Sequence, residues 1–298
     1  MTQFFLAGAE ILGKFERVTP FNYMIPANVL WKKGSRSFYA SPMFKKCIDA
    51  SEQWFMDSGA FSLLKDSEDY PYTPRELFEK SVSVLKPTIW SSMDFPCNRD
   101  SVDDSNWKDC VDKGNQNAMT LLEFWNENPV GLYLPVIQGF KGNFDYCIDE
   151  FKRLGLGATG VCVGGLVGQD VELVVKVLTK VRREFPDVYI HALGVAARGL
   201  AALPKNTINS CDSISWRAPC LSGQITIFDG ERLKYAYVKA NPMCPLKSHA
   251  CEWSSPKIVK TGWTTEEIHI QCAVAYGQHM ANIVKLKEDE VTWNEFFP

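Results

Sequence analysis

The chain has 298 residues, 46% of them hydrophobic and 22% charged, with a formal net charge of −3. That composition belongs to a globular protein and excludes a disordered one. The length suits either two average domains or one α/β barrel of about 250 residues, and no run of ~18 apolar residues marks a membrane helix.

In chain order, short segments rich in aromatic and β-branched residues predict strands at Phe4–Ala9, Tyr23–Asn28, Gln53–Gly59, Thr88–Asp94, Leu132–Gly139, Gly160–Gly165, Val188–Val195 and Ser210–Trp216. Helix signals fill the gaps between them. Pro42–Ala50 is a short candidate. Thr73-Pro74-Arg75-Glu76 carries an N-cap, a proline at the first helical position and an acid at the third, and opens a helix to about Leu85. Asn106–Asn126 and Asn143–Leu154 follow. Asp170–Phe185 sets Val171, Val174, Val175, Val177, Leu178 and Val181 largely on one face. Gly199–Leu203 precedes the last strand. Strands alternating with helices predict an α/β fold, a (β/α)8 barrel, with an open doubly wound sheet as the runner-up. Several strands are apolar on both faces, as buried parallel strands are.

After Trp216 the pattern changes. Gln224–Phe228 and Arg232–Val238, joined by Asp229-Gly230-Glu231, predict a hairpin, and Thr265–Lys287 a closing helix. The expected organisation is therefore a barrel core over 1–220 and a C-terminal hairpin and helix over 221–298, packed on the barrel.

In such a barrel the chemistry sits at the C-terminal ends of the strands. Met56-Asp57-Ser58-Gly59, Ser92-Met93-Asp94, Ile137-Gln138-Gly139, Val163-Gly164-Gly165-Leu166 and Cys211-Asp212-Ser213 fall there. Singly these are ordinary turn residues. Together they would gather three carboxylates and a carboxamide at one mouth, a costly arrangement that a function explains best. A carboxylate accepting N–H bonds, an amide that donates and accepts, and a backbone N–H at Gly165 complement a planar heterocycle such as guanine. The remaining carboxylates could perform glycosyl chemistry through a covalent intermediate.

Charge and cysteine usage add two expectations. Residues 57–113 hold 7 basic and 12 acidic residues, and 198–260 hold 9 and 4, so a polyanion could meet one face. Most of the 10 cysteines are scattered, and the opening MTQFFLAGAEILGK lacks a secretory pattern. Reduced thiols and a cytoplasmic setting, with no membrane partner, are expected.

The strand-end residues resemble the tRNA-guanine transglycosylases, and more closely their shorter relatives that place 7-deazaguanines in DNA. Asp57-Ser58-Gly59-Ala60-Phe61 resembles the family's Asp-Ser-Gly-Gly-Phe, Met93-Asp94 its base-reading aspartate, and Ile137-Gln138-Gly139 its Val-Gln-Gly. Gly164-Gly165-Leu166 and Leu193-Gly194-Val195 resemble its Gly-Gly-Leu and Met-Gly-Val, and Cys211-Asp212 falls at its nucleophile. The resemblance implies that Asp212 attacks the anomeric carbon of a target guanosine, and that Asp57 shuttles protons. It implies that Ser58, Asp94, Gln138, Gly139 and Gly165 hold the base, with the Leu166 carbonyl meeting an amine on any 7-substituent and Leu193 stacked beside the ring. A different register of strand eight would put Ser215 at the nucleophile; Asp212 is preferred because an aspartate needs no separate activating base.

The family also carries a structural zinc after its barrel. Cys244, Cys251, Cys272 and His279 are the corresponding ligands expected here, with His249 competing for the fourth place. The compact cysteine cluster of the family is absent. The Asp-Ser-x-Ser-Trp pattern at 212–216 and the short N-terminal part favour DNA over tRNA as polymer, with a 7-deazaguanine such as preQ0 as incoming base. Arg198, Lys205, Arg217, Arg232, Lys234 and Lys247 could meet phosphates, and Trp216 could stack on a base. Family members often form homodimers. A small-molecule barrel hydrolase or lyase, and a non-catalytic subunit, are the other classes the sequence allows.

Overall fold

A computed structural model describes residues 2–8, 21–65, 67–97, 106–139, 143–221, 224–237 and 265–288. Parallel strands β1 (Gln3–Ala7), β2 (Tyr23–Pro26), β3 (Trp54–Asp57), β4 (Ile89–Ser91), β5 (Leu132–Leu134 and Val136–Gln138), β6 (Val161–Gly164), β7 (Ile190–Ala192) and β8 (Ser210–Ser213) form one sheet. Its order is β5-β4-β3-β2-β1-β8-β7-β6-β5. Pro135, with no N–H to give, divides β5 into two pieces. The first piece pairs with β4 and the second with β6, so the sheet returns to its own start and forms a TIM-like barrel. Val136 N–H donates to Ser92 Oγ at 2.9 Å, and Cys162 N–H to the Pro135 carbonyl at 2.9 Å, which stitches the break.

Helices α1 (Pro42–Ala50), α2 (Pro74–Leu85, with a π-turn at Phe78–Val82), α3 (Trp107–Glu127), α4 (Phe144–Arg153), α5 (Val171–Glu184) and α6 (Ala197–Ala202) return the chain between strands. The start of α2 has both bonds of the capping box between Thr73 and Glu76. Asp170 caps α5 by accepting from Leu173 N–H at 2.7 Å. A short ribbon, Trp31–Lys32 with Ser37–Phe38, rises after β2; the sequence pattern did not show it.

The strand period of two sorts the core. One apolar cluster lies between strands and helices. A second comprises Phe5, Met24, Phe55, Ile89, Leu134, Val136 and Cys162, and plugs the barrel interior. The next residues up on the same faces include Asp57, Gln138, Gly164 and Asp212.

β8 ends at Ser213, short of the expected Trp216, and a turn over 214–216 leads into helix α7 (Arg217–Leu221). The hairpin of β9 (Gln224–Phe228) and β10 (Leu233–Tyr237) then packs with α8 (Thr265–Glu288), whose Cys272, Tyr276 and Met280 join the main apolar cluster. Among the described residues no helix is long and apolar enough to cross a membrane, and no disulfide joins the cysteines.

Candidate active site

Asp57, Asp94, Gln138 and Asp212 line one cavity of about 300 Å³ at the C-terminal ends of the strands. They come from β3, the loop after β4, β5 and β8, and the closed barrel brings them together. Gly59, Gly164, Gly165, Leu193 and Gly194 complete the polar end, with Ser213 and Ser215 beside Asp212. No lysine or arginine lines the cavity among the described residues. A larger cavity of about 490 Å³, lined by Arg36, Tyr70, Lys113 and Asn117, lies outboard and includes none of the three aspartates.

Each carboxylate accepts from a backbone N–H or a hydroxyl. Gly59 N–H donates to Asp57 Oδ2 at 2.9 Å and Ser91 Oγ to Asp57 Oδ1 at 3.3 Å. Ser58 Oγ donates to Asp94 Oδ1 at 3.0 Å. Gly194 N–H donates to Asp212 Oδ1 at 2.8 Å, and His191 Nε2 lies 3.3 Å from the same oxygen. Burial pushes the Asp57 carboxyl above the usual carboxylate range, and the charge of Asp212 pushes it the same way. The donors from Gly59 and Ser91 oppose this without reversing it. The effect fits a carboxyl that keeps its proton at higher pH than an exposed aspartic acid.

The loops are pinned from behind. Tyr70 O–H donates to the Asp94 carbonyl at 2.6 Å and Tyr72 O–H to the Ser58 carbonyl at 2.8 Å. Burial, with nearby aspartate charge, raises both phenols, so they stay neutral donors. Gly164 leaves room for the Gln138 amide: a Cβ there would stand 2.1 Å from Gln138 Oε1. Gly165 has φ +77°, and a Cβ would fall 2.6 Å from the Gly139 carbonyl oxygen, so strand and turn approach as only glycine allows.

Several expected residues lie elsewhere. Ser58, Gly139 and Leu166 are not in the cavity wall; Ser58 is buried and donates to Asp94, and the Leu166 side chain is buried next to the exposed Val167. Trp216, expected to stack on a base, is only 1% exposed. Its Nε1–H donates to the Ala7 carbonyl at 2.7 Å and its ring lies against Gly8, so it packs as core and offers no face to a ligand. Arg198 is exposed on α6, Arg217 is half-buried, and neither lines the cavity. Lys234 pairs with Asp229 at 2.7 Å. The sequence reading also missed two features. Phe61, Val167 and Ile214, all well exposed, ring the mouth. His191, on β7, lies directly beneath the cavity.

Of the expected zinc ligands, Cys244, Cys251 and the alternative His249 lie outside the described residues. Cys272 and His279 share the inward face of α8. The Cys220 thiol, together with Thr226 N–H at 3.2 Å, lowers the Cys272 thiol, while Cys220 itself is raised by Cys272 and by burial. His279 is buried against Phe228, its Nδ1 has no partner among the described residues, and burial lowers its pKa. Among the described residues no three histidine, cysteine or acidic side chains gather at a metal-binding spacing.

No family model matches the chain, and no curated protein matches it. Among solved structures it is similar to a Rhizobium etli pyruvate carboxylase bearing the allosteric activator acetyl coenzyme A. Identity is 12% and the TM-score 0.45, over 94% of this chain and 28% of that one. It is also similar to the Amycolatopsis orientalis BexX/CysO complex, at 9% identity and TM-score 0.42, over 98% of this chain and 93% of that one.

Proposed function

We propose that the chain is a base-exchange transglycosylase of the kind its strand-end motifs resemble, replacing guanine in DNA with a 7-deazaguanine such as preQ0. The observation that carries this reading is the cavity itself: Asp57, Asp94 and Asp212 line one space without a cation among the described lining residues. An anionic small substrate, such as a sugar phosphate, would be repelled there. A neutral heterocycle rich in N–H groups, and a sugar that gains positive charge as its base departs, are both favoured.

Asp212 Oδ2, which takes no hydrogen bond from the described residues, attacks the anomeric carbon. The new ester bond forms as the glycosidic C–N bond breaks, and the electron pair leaves on guanine. Asp57, in its protonated form, gives its proton to the departing base and becomes a carboxylate. The incoming 7-deazaguanine then returns a proton to Asp57 while its ring nitrogen attacks the same carbon. The ester breaks, Asp212 is restored, and configuration is retained. Asp94 and Gln138 read the base edge. The apolar ring of Phe61, Val167 and Ile214 suits the flat faces of neighbouring bases once the target is unstacked.

The same resemblance assigns a zinc ion to Cys244, Cys251, Cys272 and His279. The unpartnered Nδ1 of His279 and the lowered Cys272 thiol are the two features of the described residues that suit it. Its role would be structural, tying hairpin and helix together.

The test is incubation with labelled guanine or 7-deazaguanine and either DNA or tRNA. Label should enter DNA, and Asp212→Ala should lose at least about 10⁴-fold of the exchange and all of the trapped adduct. Label entering tRNA alone would move the reading to the tRNA enzymes. No label in either polymer, or normal exchange by Asp212→Ala, would reject it.

A further inference from the structure

The plug beneath the cavity is apolar except for His191 and Ser210. His191 is fully buried on β7 and stands opposite Ser210 in the register with β8. Phe55 and Phe5 press on its ring, at centroid distances of 4.5 and 5.9 Å. A polar ring in such surroundings is tolerated only when its nitrogens are bonded. Both are: Nδ1 lies 2.7 Å from Ser210 Oγ, and Nε2 lies 3.3 Å from Asp212 Oδ1.

A placement of protons that satisfies all three groups starts from Asp212. The Asp212 carboxylate can only accept, so Nε2 carries the proton. Nδ1 then accepts from the Ser210 hydroxyl. Gly194 N–H donates to the same Asp212 oxygen at 2.8 Å. Two donors converging on Oδ1 fix the rotation of the carboxylate and turn Oδ2 to the cavity.

We propose that His191 is a positioning residue for Asp212, anchored from below by Ser210, and that it sets the attack geometry without touching substrate. The role in turnover rests on the transglycosylase reading; the Ser210–His191–Asp212 chain of bonds does not. A nucleophile displaced by about 1 Å loses about 10²-fold in rate, so the chain has a kinetic signature distinct from that of substrate binding.

Two measurements test it on the whole chain. Nitrogen-15 NMR of the histidine ring should show the Nε2-protonated tautomer, with the bonded proton lost or strongly shifted in Asp212→Ala. In single-turnover assays His191→Leu should slow adduct formation about 10²-fold with KM for the polymer close to wild type. His191→Gln, which still offers an N–H toward Oδ1, should recover about tenfold of that loss. An Nδ1-protonated ring indifferent to Asp212→Ala, or wild-type adduct formation by His191→Leu, would overturn the proposal. Should His191→Leu fail to fold, Ser210→Ala is the smaller change. It should slow the adduct several-fold and alter the tautomer signal; a change in neither would also overturn it. A wild-type protein that exchanges no base would instead count against the transglycosylase reading, and the NMR result would still decide the pairing.

Discussion

Asp57 lies two residues beyond Phe55 on the inward face of β3, at the level where the apolar plug ends and the cavity begins. Its raised pKa has two measurable consequences. In the folded state the value exceeds that of the unfolded chain, about 3.9. The stability linked to this group is therefore fully present below the unfolded value and is lost as pH rises through the folded one. Asp57→Asn removes that penalty. Its midpoint of unfolding should exceed wild type at neutral pH and approach it near pH 3, as denaturant titration at the two pH values would show. Exchange by the same variant should fall about 10²- to 10⁴-fold, the usual worth of a positioned proton donor. Wild-type exchange should likewise decline as pH rises through the Asp57 value, because the donor form disappears. A variant that is less stable at neutral pH, or exchange that keeps rising with pH, would contradict this account.

At the scale of elements, Gly165 is the turn on which β6 meets the end of β5. Gly165→Ala must hold a left-handed φ and seat a methyl group against the Gly139 carbonyl. The backbone conformation alone costs about 1–2 kcal/mol, so loss of stability by at least that much is expected from thermal unfolding, together with a raised KM for the incoming base. Thr73→Ala, at the capping box of α2, should cost about 1 kcal/mol with base exchange unchanged. The strands were legible because parallel strands buried on both faces read as apolar runs, and each expected run overlaps an observed strand. The helices after β3 and β6 were legible from capping and periodicity. Less could be read where side chains act through distant partners. Trp216, at the end of the expected eighth strand, was read as able to stack on a base, yet its N–H finds the Ala7 carbonyl more than two hundred positions away. His191 carried a signal that period-two reading would have exposed: it precedes Leu193 by two, and so faces inward one layer deeper. Pro135 marked the break in β5, but only the pairing of both pieces shows that the break lies at the closure of the barrel.

At the scale of the whole molecule, the C-terminal extension shares the core of the barrel. Tyr276 on α8 donates to Ser213 Oγ at 3.2 Å, next to Asp212 in sequence, and its ring meets Phe4 of β1 at 6.0 Å. Thr226 on the hairpin holds Cys272 on the same helix. These contacts connect the extension to β8, which carries Asp212. If zinc ties the hairpin to α8, its removal should act on both stability and turnover. The expected outcome is about one zinc per purified chain, lost in Cys272→Ala and in His279→Ala. Chelation should lower the melting temperature and reduce exchange together, with both restored on adding zinc back. The two variants separate metal binding from packing. Cys272→Ala also removes the sulfur that Thr226 and Cys220 contact, whereas the Nδ1 of His279 makes no hydrogen bond among the described residues that its loss could break. A stoichiometry near zero in a folded, cooperative protein would remove the metal site and leave His279 as a buried ring packed on Phe228.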